Sequence, residues 1–147
     1  MKSFPPKICA AALLAFATAT ATAVAAEPPV LTGVWKADPA TLAAIRLGGA
    51  NDIHPEYSDP TYAAAEEIWS IEIKEQKGRA FHGVASSPKG FSVAFVGVIS
   101  FDGEHFTAAA ESGGYTGEIL PDGRVDICYM DHEDDRSQVS CFVMAKQ

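Results

Sequence analysis

From residue 68 onward the chain alternates apolar and polar positions in short runs. Trp69, Ile71 and Ile73 interleave with Ser70, Glu72 and Lys74, while Phe91, Val93, Phe95 and Ile99 oppose Ser92, Ala94 and Ser100. A period of two places alternate side chains on opposite faces of a β-strand. Seven such runs follow one another: 68–74, 79–86, 91–100, 105–111, 115–120, 124–130 and 138–146, and Leu31–Lys36 precedes them as an eighth. Glycines at 78, 90, 103, 113 and 123 punctuate the runs at hairpin spacing, each able to take the positive φ of a tight turn. The pattern predicts an all-β chain, an eight-stranded antiparallel up-and-down barrel, with a β-sandwich as the rival architecture. The run 91–100 is apolar on both sides, which predicts cover on both, and Gly97 in its middle predicts a bend.

Residues 37–67 break the pattern. Asp38-Pro39, then Ala40 to Leu47, then Gly48-Gly49 supply a cap, a first-turn proline and a glycine stop, which predict a short helix. Asp59-Pro60 followed by Thr61 to Glu67 predicts a second one. A polar loop, 50–58, carrying His54 and Tyr57, separates them. The two helices would lie between strands 1 and 2 and plug one end of the barrel.

The first 26 residues read differently again. Lys2 and Lys7 precede an apolar stretch, Ile8 to Ala17, and a small-residue tail ends Val24-Ala25-Ala26. This is the form of a secretory signal peptide cleaved after Ala26, leaving residues 27–147 as one domain in the periplasm or outside the cell. The apolar run is too short for a membrane anchor, and Cys9 lacks a lipobox. Loss of Lys2 and Lys7 takes the formal net charge from −8 to −10. Such a balance lacks the basic footprint that nucleic-acid binding requires.

Cys128 and Cys141 remain after the leader. In an oxidising compartment an even pair reads as a disulfide, two free buried thiols being the alternative. Pairing them on the last hairpin sets Met130 opposite Val139 and leaves a loop from Asp131 to Gln138.

Gly33-Val34-Trp35 on the first strand resembles the Gly-x-Trp motif of the calycin superfamily of ligand-binding barrels, which includes lipocalins, avidins and fatty-acid-binding proteins. The resemblance implies a barrel whose base the indole plugs, with a basic residue of the last strand, here Lys146, packed on it. It implies a small apolar or amphipathic ligand, bound without chemistry, and Trp35, Trp69, Phe81, Phe95, Phe106 and Tyr129 are the candidate lumen-wall residues. The chain lacks the several lumen tryptophans of avidins and the ten strands and basic cluster of fatty-acid-binding proteins, so no particular ligand transfers.

A second resemblance points to a protein partner. Glu111-Ser112-Gly113-Gly114-Tyr115 is similar to the Ser-Gly-x-x-Tyr loop of periplasmic lysozyme inhibitors, with the spacing one residue short. Ser112, Gly113 and Tyr115 are its candidate contacts, the tip 131–135 a further one, and acidic charge would suit a basic enzyme. The cluster Asp131-His132-Glu133-Asp134-Asp135 has no calcium-loop spacing, and His54 and His132 lack ligand spacing, so no metal is expected. His82 lies mid-strand with its face unassigned. Glu111, Glu118 and Asp126 sit on strands as candidate lumen carboxylates, solvent-facing strand acids being the alternative, and neither a nucleophile–base pair nor a phosphate loop accompanies them. Neither catalysis nor a cofactor is expected. A lumen of roughly 300 Å³ or more would favour the carrier, and a filled one the protein binder.

Overall fold

The computed structural model describes residues 27–48, 60–62, 69–111, 113–133 and 136–147. Among the described residues ten strands form one antiparallel sheet: β1 (Gly33–Ala37), β2 (Ala43–Gly48), β3 (Thr61–Tyr62), β4 (Ser70–Lys77), β5 (Ala80–Ser86), β6 (Ser92–Ile99), β7 (His105–Ala110), β8 (Gly113–Ile119), β9 (Val125–Glu133) and β10 (Arg136–Lys146). The order β1-β4-β5-β6-β7-β8-β9-β10 closes on itself through β1–β10, so eight strands make a barrel. Closure removes the open edges that a curled sheet would otherwise leave.

Both expected helices require correction. Asp38 does cap a turn, its Oδ1 accepting from the Ala40 amide at 3.0 Å, but the turn is three residues of 3-10 helix, Pro39–Thr41. Leu42 then returns to extended backbone and Ala43–Gly48 runs as β2 along β10, from Ala43↔Cys141 to Gly48↔Arg136. β10 outreaches β1, which pairs only with Met144–Lys146, so its remaining edge needs hydrogen-bond partners. A strand supplies them along its whole length, whereas a short helix gains little by itself. Thr61–Tyr62, inside the second expected helix, is β3, paired with Ile45 and Arg46. The rest of that expectation, with the loop bearing His54 and Tyr57 and the leader, lies outside the described residues. The described part contains no α-helix, and no helix long and apolar enough to cross a membrane.

The last hairpin has the expected register, Cys128↔Cys141 and Met130↔Val139, and the two cysteines form a disulfide with α-carbons 4.1 Å apart. The expected loop 131–138 is instead mostly strand, because pairing continues to Glu133↔Arg136. β9 and β10 therefore project beyond the barrel and, with β2 and β3, form a four-stranded extension.

Apolar positions on alternate residues face inward, and the register places glycine opposite aromatic residues. Phe81 lies across from Gly97, Phe95 from Gly83, and Phe106 from Gly117. A Cβ on Gly97 would meet the Phe81 ring, and one on Gly117 the Phe106 ring. Gly97 thus makes room for a ring. Phe91 is no core residue, being 68 % exposed ahead of β6, and Val96 and Val98 on the outer face of β6 are uncovered, contrary to the two-sided cover expected.

Gly97→Ala and Gly117→Ala are each expected to cost about 1–3 kcal/mol in urea unfolding by overpacking, whereas Gly114→Ala, whose Cβ would meet nothing closer than 3.4 Å, costs far less. Replacing both cysteines by alanine should lower stability by roughly 3 kcal/mol on the chain-entropy account, read from the same titration.

Candidate functional site

The barrel has two unlike ends. At the base, the segment before β1 folds across the opening: Leu31 is buried, its amide donates to Gln76 Oε1 at 2.8 Å, and its carbonyl accepts from Trp35 Nε1 at 2.8 Å. Gln76 also donates to the Pro29 carbonyl at 2.8 Å, fixing the plug from the β4 side. Trp35 sits directly across from Lys146, whose ammonium lies 5.7 Å from the indole centroid, within reach of a cation–π contact. Gly33 is needed here twice over. Its φ is +121°, and a Cβ would come within 2.9 Å of the Lys146 stem.

The interior holds most of the residues expected to line a lumen. Trp35, Phe81, Phe95 and Phe106 are buried, while Trp69 and Tyr129 are half-buried. Edge-to-face contacts join Phe81 to Phe95 and Phe106, at centroid separations of 6.3 and 5.8 Å. Phe95 reaches Tyr115 at 5.8 Å, and Tyr115 reaches Tyr129 at 4.9 Å. Among them remains a space of about 30 Å³, walled by apolar side chains and Tyr115. That is far short of the roughly 150 Å³ that admits a benzene ring.

Tyr115, expected as a protein contact, is buried and points inward, and Gly113, expected in a turn, begins β8. Ser112 lies outside the described residues, as do Asp134 and Asp135 of the acidic tip. Burial pushes the Tyr115 phenol up to about 12. Beyond the aromatic stack, buried Asp131 and Ser140 give the upper end a polar lining.

The outer wall carries the remaining polar candidates. Glu111, Glu118 and Asp126 are exposed, with Glu118 and Asp126 directly opposed across β8 and β9, so none is a lumen carboxylate. His82 also faces out, 3.2 Å from Glu75, which Lys77 contacts at 2.9 Å. Hydrogen bonds from Lys77 and His82 hold the Glu75 carboxyl below its ordinary range. These groups border an open depression of about 620 Å³ on β4–β7, but their charges already satisfy one another in water. Among the described residues no three His, Cys, Asp or Glu side chains gather into a metal site.

One feature was not expected. Tyr62, Ile45, Val139 and Met130 stand in a single cross-strand row on the outer face of the extension, all substantially exposed. The signal was present in the alternation of Ala43, Ile45 and Leu47 with Ala44, Arg46 and Gly48, which capping residues on both sides outweighed. No family model matches the chain, and neither a curated protein nor a solved structure matches it.

Because the unfolded chain releases a phenolic proton near 10 while folded Tyr115 holds its own to about 12, stability should fall as pH rises through that interval. Ultraviolet titration of the folded protein should show a phenolate step near 12 that is missing from Tyr115→Phe.

Proposed function

We propose that this chain is an exported, calycin-like barrel that acts without catalysis by binding protein through its outer surface. The carrying observation is the filled interior: about 30 Å³ of largely apolar space offers a metabolite no room. The aromatic residues expected to hold a small apolar ligand therefore serve the core. Gly33, Trp35 and Lys146 support the calycin-like reading, since the glycine, the indole and the cation meet at the closed base as that family's motif implies.

A protein-binding role agrees with what is left outside. The exposed apolar row on the extension offers a desolvatable centre, and large exposed apolar side chains in such a patch are characteristic of interaction surfaces. Contact of the lysozyme-inhibitor kind, expected at Ser112, Gly113 and Tyr115, is less well supported because the Tyr115 ring belongs to the aromatic stack.

Native mass spectrometry of protein recovered from its own host tests the reading. The expected spectrum shows the polypeptide mass of residues 27–147 with one disulfide and no retained small molecule. A stoichiometric small-molecule adduct released on denaturation would overturn it and restore the carrier.

A further inference from the structure

The apolar row has a composition and an exposed area that bear on what it fits. Met130, Val139, Ile45 and Tyr62 are 38, 44, 40 and 74 % exposed, and each is the direct cross-strand partner of the next. Leu47, two residues along β2 on the same face, is 39 % exposed. No charged side chain stands in the row, nor in the adjoining row of Ala43, Cys141 and Cys128. These five exposed side chains present roughly 500 Å² per chain, so burying two copies of the patch would remove roughly 1,000 Å², the lower edge of specific interfaces.

Resting on the reading that the chain works through its outer surface, we propose that a second copy of this chain docks on this row, face to face about a two-fold axis. A two-fold contact requires a surface complementary to itself. An axis passing between Val139 and Ile45 sets each Ile45 over the other copy's Val139 and each Tyr62 over the other copy's Met130, a ring meeting a thioether. The packing is that of two sheet faces about 10 Å apart. Charge opposes the contact at its rim but not at its centre. The formal net charge of the chain is −8, and Glu118 and Asp126 lie on outer faces of the strands leading to the row. Two copies can touch on the uncharged row without pressing carboxylates together, though their rims still repel. Added salt therefore tightens the dimer, whereas it would loosen docking of a cationic protein.

Sedimentation velocity over a concentration series, in dilute buffer and in about 0.5 M sodium chloride, tests this. The expected result is a reversible monomer–dimer equilibrium at least several-fold tighter in high salt. Val139→Glu and Ile45→Glu weaken it at least ten-fold, whereas Val96→Glu, half-way round the ring of strands, leaves it unchanged. Concentration-dependent amide shifts of the unaltered protein, confined to β2, β9 and β10, give the same answer without a variant. A monomer persisting to about 1 mM in both buffers overturns the proposal. So does association that salt weakens, or that Val96→Glu alone disrupts. A retained small molecule would sink the earlier reading without touching this equilibrium.

Discussion

The architecture depends on glycines standing opposite aromatic side chains across the sheet. An eight-stranded barrel encloses a space of fixed width, which side chains either fill or leave to a ligand. Here Phe81, Phe95 and Phe106 each lie over a glycine of the neighbouring strand, and the rings bend into the volume those missing side chains vacate. Rings and glycines together leave only about 30 Å³ among them. The same register commits the barrel to being solid. Larger residues at 83, 97 and 117 would push the rings out of place, and smaller ones at 81, 95 and 106 would open cavities costly to leave empty.

Closure at the base follows from the same economy of side chains. Gly33 lacks the atom that would block Lys146, so the Lys146 stem crosses to the face of Trp35 while its ammonium remains in water. The indole nitrogen is satisfied by the Leu31 carbonyl, which allows a large polar-tipped ring to be buried. Gln76 ties the preceding segment down through Leu31 and Pro29. Plugging this end needs no helix.

Most strand positions after residue 68, the final hairpin register and the inward direction of Trp35, Phe81, Phe95 and Phe106 were legible in the sequence, because alternation and turn glycines are local signals, whereas Tyr115 and Phe91 were each assigned the wrong side. Residues 38–48 depart from their local helix signals for a specific reason. Asp38 and Pro39 do begin a helical turn, but whether it continues depends on the length of β10, some ninety residues away. No local pattern reports an unpaired edge there. The direction of His82 was illegible for the same reason, since it is set by the pairing of β5 with β4 and β6. The filled lumen could not be read from the count of aromatics alone. Six rings suit a binding pocket as well as a packed core, and only the cross-strand placement of glycines against them separates the two.

The disulfide stands at the junction of barrel and extension. Cys141 pairs with Cys128 on one side and with Ala43 on the other, three residues before β10 passes to β1 at Met144. Beyond it the extension has no second sheet to pack on, and Asp131 and Ser140, not apolar residues, are what it buries on the inner side. Backbone pairing and the sulfur link must therefore hold it where a core would otherwise do so. β8 flanks β9 as far as Asp131, but β2 and β3 beyond β10 form a ladder that is marginal in water, and a covalent tie at its root restrains fraying. Past the disulfide the buried inward positions Asp131 and Ser140 are polar while Met130, Val139 and Ile45 take the alternate, outward positions, so exposure of the row follows from a two-residue period applied to strands that outrun β1.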